Sequence, residues 1–205
     1  MGNRFSSYDP TENHHSSYCY HDSDVLINKE NIRDAKILAE YEADITMFRQ
    51  YQLEKEQVAR GRFGLTHLIR IHQYIFQDIY PFAGKIRTET ISKGSTRFCD
   101  TPFIVDNSTD LLSRLKKEDY IRGLSTVEFS QRAAYYMSEL NMIHPFREGN
   151  GRSIREFMRQ LALGCGYIID WSLISCETLL QAMITSVNKG LEPLTDCIFI
   201  VIENK

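Results

Sequence analysis

Within the twelve residues His144-Pro-Phe-Arg-Glu-Gly-Asn-Gly-Arg-Ser-Ile-Arg155 stand a base, a carboxylate, a glycine turn and two guanidiniums. Gly149 and Gly151 free the backbone for a tight turn, and Asn150 can cap a helix starting there. Successive amide N–H groups would then converge before that helix, where an anion binds readily. With a helix starting near Gly151, Arg152 and Arg155 lie three residues apart on one face, and their planar forks suit a polyphosphate chain. Glu148 precedes the turn and is placed to hold a divalent cation, because Mg²⁺ takes one or two protein carboxylates and completes its shell with phosphate and water. His144 accepts a proton near neutral pH without a large pKa shift, which makes it the natural general base for activating a hydroxyl. Each of these residues taken singly is more often structural; their convergence predicts a nucleotide-handling site.

The elements that must position these residues read mainly as helices. Leu38, Tyr41, Ile45 and Phe48 recur at spacings of three and four, as do Leu65, Leu68, Ile71 and Ile75, so amphipathic helices are predicted over 35–53 and from 65. A third is predicted after Thr101-Pro102, with Leu111, Leu112 and Leu115 inward and its start blurred by Asp106-Asn107-Ser108. Phe129, Ala133, Tyr136, Met137, Leu140 and Ile143 form the clearest stripe, opened by Ser125-Thr126 with Glu128 behind and closing at His144. After the glycine turn, Ile154, Phe157, Met158, Leu161 and Cys165 form the next stripe, with Arg152, Arg155 and Arg159 on the other side and Gly164 and Gly166 ending it. Two more helices are predicted, over 177–186 and from 191 towards 202. One stretch breaks the rhythm: residues 86–99, rich in Thr, Ser and Ile around Lys93-Gly94-Ser95, read as a short β-hairpin.

With 205 residues, 42% hydrophobic and 25% charged, the chain suffices for one domain with a real core, expected over 18–205 behind a disordered tail at 1–17. A net charge of −3 without a long basic run argues against direct nucleic-acid binding, and no stretch approaches membrane-spanning length. No apolar leader opens the chain, so a cytoplasmic protein is expected. The five cysteines lack CxxC spacing and read as reduced structural thiols. His14, His15 and His21 sit among Ser, Asn and Asp and read as surface residues rather than a metal cluster, and Glu192 reads as a helix-terminal structural residue. No GxxxxGK[ST] pattern occurs, so a P-loop is excluded.

The run from His144 to Arg155 matches His-x-Phe-x-(Asp/Glu)-Gly-Asn-Gly-Arg-x-x-Arg at every specified position, and on this the chain resembles the Fic family. The resemblance implies an all-α fold, a Fic-type helical bundle with a β-hairpin flap over the active site, and the transfer of AMP from ATP to a hydroxyl of a target protein. It implies His144 as base, Glu148 as the Mg²⁺ ligand, Gly149, Asn150 and Gly151 as the phosphate cradle, Arg152 and Arg155 on the outer phosphates, and Phe146 as a structural anchor. Ile91, Ser92, Lys93, Gly94 and Phe98 resemble the flap, which in this family pairs with an extended piece of the target.

The segments Tyr18-Cys-Tyr20-His-Asp22, Val25-Leu26-Ile-Asn28-Lys29, Arg122-Gly-Leu124, Glu128-Phe-Ser-Gln131 and Gly166-Tyr-Ile-Ile-Asp170-Trp171 look like bacterial Fic toxins that modify the ATPase subunits of type II topoisomerases, gyrase B or its topoisomerase IV counterpart. The family's inhibitory pattern, (Ser/Thr)-x-x-x-Glu-(Gly/Asn), is missing: Tyr8, Leu26, His144 and Phe199 stand four residues before the four Glu-Asn or Glu-Gly pairs. A small antitoxin presenting its own Glu to Arg155 in trans is therefore expected. Kinase-like phosphate transfer by a related branch, whose anion loop departs from Gly-Asn-Gly-Arg, and a catalytically idle module that presents the flap to a partner are the alternative readings.

Overall fold

A reciprocal cap opens the central helix. Ser125 Oγ accepts the Glu128 N–H at 3.4 Å and the Ser125 N–H donates to Glu128 Oε2 at 3.0 Å, satisfying two amides that a helix start otherwise leaves orphaned. The capped helix, α4 (Thr126–Ile143), buries residues around most of its girth, including all six apolar positions of the expected stripe. Such a helix must be surrounded, and in the computed structural model, which describes residues 9–10, 16–56, 58–94 and 96–204 and leaves the side chains of Asp9, Pro10 and Asn188 outside, it is. It packs against α3 (Ile104–Lys117), α5 (Asn150–Gly164), α6 (Cys176–Asn188) and α7 (Glu192–Val201), while α2 (Leu65–Phe76) packs on α5 and α1 (Ala35–Glu56) on α2. The fold is thus the expected all-helical bundle, with seven α-helices among the described residues.

The apolar stripes place most of these helices correctly, with two differences. In α1, Leu38 is buried but Phe48 is 56% exposed; Thr46 and Leu53 are buried in its place. The reason is that Thr46 turns to an arginine of the site rather than to the core. In the third helix, Asp106-Asn107-Ser108 does not blur the start: a 3₁₀ turn at Thr101–Phe103 leads straight into α3, with Pro102 in its opening turn and Ser108 fully buried.

The exception to the helical rhythm is a hairpin, β2 (Ile91–Lys93) antiparallel to β3 (Thr96–Arg97), with Ser92 opposite Arg97 and Lys93 opposite Thr96. Gly94 takes φ +56°, a left-handed value the turn requires. On its other edge β2 pairs antiparallel with β1 (Asp9–Pro10), Asp9 opposite Ser92 and Pro10 opposite Ile91. Ser16 and Ser17, at the expected end of the tail, both donate to the Glu89 carboxylate at 2.6 Å. The rest of that tail, 1–8 and 11–15 with His14 and His15, lies outside the described residues, as does Ser95. No helix among the described residues is long and apolar enough to cross a membrane.

Candidate active site

The last turn of α4 delivers His144 in the left-handed region (φ 49°, ψ 62°), its N–H bonded to the Leu140 carbonyl at 3.0 Å. The ring's Nδ1 lies 2.9 Å from the Asn141 carbonyl oxygen. A carbonyl only accepts, so the proton sits on Nδ1 and the lone pair on Nε2. Phe98 of the hairpin stacks on the imidazole, centroids 3.8 Å apart. The imidazole is not the unshifted base expected from sequence: burial, joined by the positive charges of Arg87 and Lys93, holds its pKa down to about 3, so the ring is neutral at any ordinary pH.

The loop between α4 and α5 is buried from His144 to Asn150, and its interior contacts fix its shape. Phe146 is fully buried and stacks on His72 of α2 at 3.8 Å. Asn150 does not cap α5 as expected; it is the first residue of that helix, and its side chain reaches back to accept the Phe146 N–H at 2.9 Å and donate to the Phe146 carbonyl at 2.7 Å. The capping position falls to Gly149 (φ 80°), where a Cβ would intrude on the Phe76 ring, so only glycine fits. Helix geometry leaves the first-turn N–H groups of Asn150, Gly151 and Arg152 without intrahelical acceptors, which makes this end of α5 an anion site.

Glu148 is buried beside that end. Its Oε1 accepts the Gly149 N–H at 2.9 Å, while Oε2 is buried with no hydrogen-bond partner. Burial first, and then repulsion by Glu42 of α1, push its carboxyl up to about 7. A buried carboxylate oxygen with no donor facing it suits a hard divalent cation. Arg152 is not turned outward as its helical spacing suggested. Its guanidinium pairs with the Glu42 carboxylate, donates to Thr46 Oγ1 at 3.1 Å, lies 3.8 Å from Glu148 Oε1 and covers the face of Phe76 at 4.8 Å. Arg155 faces a cavity of about 420 Å³ that it lines with Tyr51, Arg159, Trp171 and Cys176. The two arginines therefore lie close enough to repel, but α1 engages only the first.

The flap lies over this loop. Ile91 and Phe98 are buried, Ser92 and Lys93 half-buried, and Gly94 exposed. Lys93 is close enough to Glu148 and His144 for its charge to act on both. Two residues given no role by the sequence reading brace the loop, and the second also ties it to the flap. His72 accepts the Gly84 N–H on Nδ1 at 2.8 Å, so Nε2 carries the proton and donates to the Glu148 carbonyl at 3.0 Å. Arg87, 2% exposed, donates from Nε to the His144 carbonyl at 2.8 Å and from Nη1 to the Glu89 carbonyl at 2.6 Å. His72 had a signal: it falls four after Leu68 and three before Ile75, inside an apolar stripe, where a histidine must be neutral and satisfied. Arg87 had none, since a charged residue before a hairpin reads as surface.

Known proteins are similar to this chain in sequence and in fold. A family model described as Fic/DOC family matches residues 62–162. The chain is 38% identical over 175 residues to the protein adenylyltransferase VbhT of Bartonella schoenbuchensis, an alignment covering 85% of this chain and 36% of that protein. It is also 38% identical over 165 residues to the "Probable protein adenylyltransferase Fic" of Salmonella typhimurium, covering 80% of this chain and 81% of that one. Among solved structures, the N-terminal Fic domain of a VirB-translocated Bep effector protein from Bartonella quintana, with bound ADP, matches with a TM-score of 0.83 and 29% identity over 91% of this chain and 94% of that one. The chain thus spans 36% of VbhT and 81% of the Salmonella protein.

Proposed function

The chain belongs to the Fic/DOC family, and from that premise we propose that it is a protein adenylyltransferase, moving AMP from ATP to a hydroxyl side chain of a target protein. The observation that carries the reading is the tautomer of His144: Nδ1 carries the proton, committed to the Asn141 carbonyl, which leaves the ring's basic lone pair on Nε2. Nε2 takes the proton of the target hydroxyl as its oxygen bonds to the α-phosphorus, and the bond from the α-phosphorus to the bridging oxygen breaks, releasing pyrophosphate. The amides of Asn150, Gly151 and Arg152 receive the phosphates, and Arg155, facing its cavity, receives the outer end of the chain. Arg152 contributes its charge from its place against Glu42 and Glu148. Glu148 is the residue that would hold Mg²⁺, through the buried oxygen that lacks a partner; the cation's contribution is to neutralise phosphate charge. Phe146 and His72 keep the loop in shape.

The target is placed by strand addition to the flap, which orders a hydroxyl-bearing loop through backbone bonds and leaves few side chains to be read. We assign the chain to toxins acting on the ATPase subunits of type II topoisomerases, gyrase B foremost, with a small antitoxin that presents a carboxylate to Arg155. The segments around Tyr18–Lys29 and Gly166–Trp171 support this assignment through their resemblance. Its test is the intact mass of gyrase B after incubation with the protein, ATP and Mg²⁺, beside the His144→Ala variant. A gain of one AMP that the variant abolishes is expected; a gain of one phosphate would move the enzyme to the kinase-like reading.

A further inference from the structure

Arg87 is among the largest fully buried side chains of the molecule, and burying a guanidinium is costly unless its donors are all met. Four of its five guanidinium N–H groups are met by backbone carbonyls drawn from three separate places. Nε donates to His144 at 2.8 Å and Nη2 to Ile143 at 3.3 Å, at the end of α4. Nη1 donates to Glu89 at 2.6 Å, on the chain entering the flap, and Nη2 to Cys99, on the chain leaving it. Its own N–H adds a fifth bond, to Pro145 at 2.9 Å, and the Cys99 N–H bonds Met142 at 3.1 Å. One side chain therefore joins both legs of the hairpin to the peptide that carries His144.

Three features give this joint a purpose beyond filling space. The last turn of α4 contains no basic residue, so the guanidinium supplies the positive charge that the carbonyl end of that helix favours. His144 sits in a left-handed conformation that a residue with a Cβ adopts only when its surroundings impose it, and the bond to its carbonyl is one such constraint. Finally, Phe98, which stacks on the imidazole, directly precedes Cys99, whose carbonyl Arg87 also holds.

We propose that Arg87 is a positioning residue that holds the His144 imidazole and the flap in a fixed mutual register, so that a hydroxyl docked on the flap meets Nε2 at reacting distance. This rests on the transferase reading. A lysine in its place would keep the charge but, as a point donor on a flexible stem, could not hold three segments at once. Because the described bonds of Arg87 go to the end of α4, to the Pro145 carbonyl and to the flap, nucleotide binding at α5 should be spared while turnover falls.

The test compares wild type, Arg87→Lys and Arg87→Met by steady-state transfer to gyrase B, by equilibrium binding of ATP with Mg²⁺, and by nitrogen NMR of histidine-labelled protein. Arg87→Lys is expected to lower kcat roughly 10- to 100-fold, the usual scale for an ångström of misplacement, with ATP affinity within about twofold of wild type. In the spectrum, the Nδ1-protonated signals of His144 should be sharp in wild type and broadened or mixed with the other tautomer in Arg87→Lys. Arg87→Met should in addition raise the imidazole's pKa, since burial and Lys93 still oppose its protonation but the Arg87 charge no longer does. Wild-type kcat and an unchanged His144 spectrum in Arg87→Lys would overturn the proposal. So would parallel losses of kcat and ATP binding, which would mean simple loss of structure. If wild type itself does not modify gyrase B, the target assignment fails while the transferase reading is left to the other measurements, and the His144 spectrum of Arg87→Lys alone decides the positioning role. Should Arg87→Met not fold, Arg87→Lys decides it.

Discussion

A carboxylate can hold a cation only when it is ionised, and Glu148 is raised, chiefly by burial and then by Glu42, to a pKa of about 7. The sign is set by that direction: as pH falls through 7, the carboxyl gains a proton and the cation loses its ligand. The expected outcome is that Mg²⁺ affinity, followed by titration calorimetry in the presence of a non-hydrolysable ATP analogue, weakens progressively below pH 7, and that Glu42→Gln shifts this dependence to lower pH by removing the repulsion. A metal affinity flat from pH 6 to 8 would contradict the assignment. His144 behaves oppositely. With its pKa held near 3, the imidazole stays neutral across the same range, so on the proposed mechanism an acid limb of kcat in this window is expected from Glu148 and not from His144. At this scale the candidate residues could be read from the sequence, but not the electrostatics around them. The twelve-residue run placed His144, Glu148 and the glycines; Glu42 and Thr46, which engage Arg152, come from a helix about a hundred residues away, and only folding brings them to it.

At the scale of elements, the glycine that starts α5 and the strand that flanks the flap make the sharpest claims. Gly149→Ala places a Cβ against the Phe76 ring at a left-handed φ, and the loss of folding stability should be roughly 2 kcal/mol or more, with a raised Kd for ATP because the α5 amides are displaced. Chemical denaturation and nucleotide binding read the two effects. For the flap, β1 already pairs with the edge of β2, so a target strand adding to that edge must displace Asp9–Pro10. Deleting residues 1–15, which leaves the Ser16 and Ser17 bonds to Glu89 in place, should lower the KM for the target several-fold without changing the KM for ATP. An unchanged target KM would put docking on the β3 edge instead. Helices were legible because their apolar periods are strong: every apolar position of the α4 stripe is buried, and its capping box appears where Ser125 and Glu128 indicated. The exception, Phe48, shows the limit of periodicity, since α1 turns a polar Thr46 inward to serve Arg152. The β1 pairing was not legible, because two residues carry no period.

For the whole molecule, acid should be destabilising. His67, His72 and His144 all have pKa values lowered in the folded protein, chiefly by burial, so between about pH 3 and 6.5 the unfolded chain binds more protons and stability falls as pH falls. Glu148 acts in the opposite sense between its ordinary value and about 7, and offsets part of this. The net expectation is a melting temperature that drops from pH 7 to pH 5, with a shallower slope in His144→Ala; each strongly shifted histidine contributes on the order of 2 kcal/mol at pH 5. A melting temperature that rises on acidification would show that these histidines are not held neutral. The same burial that makes the bundle acid-sensitive keeps the base neutral and the loop rigid, so fold and chemistry share one cause.

The central claim is tested most directly by supplying ATP labelled at the α-phosphorus and, in parallel, at the γ-phosphorus to the protein with Mg²⁺ in a bacterial lysate, and measuring the label that enters protein. Relative to the lysate alone, added protein-bound α label is expected with wild type, none with His144→Ala, and no added γ label with either. Bound γ label, or α label that persists in His144→Ala, would contradict the claim.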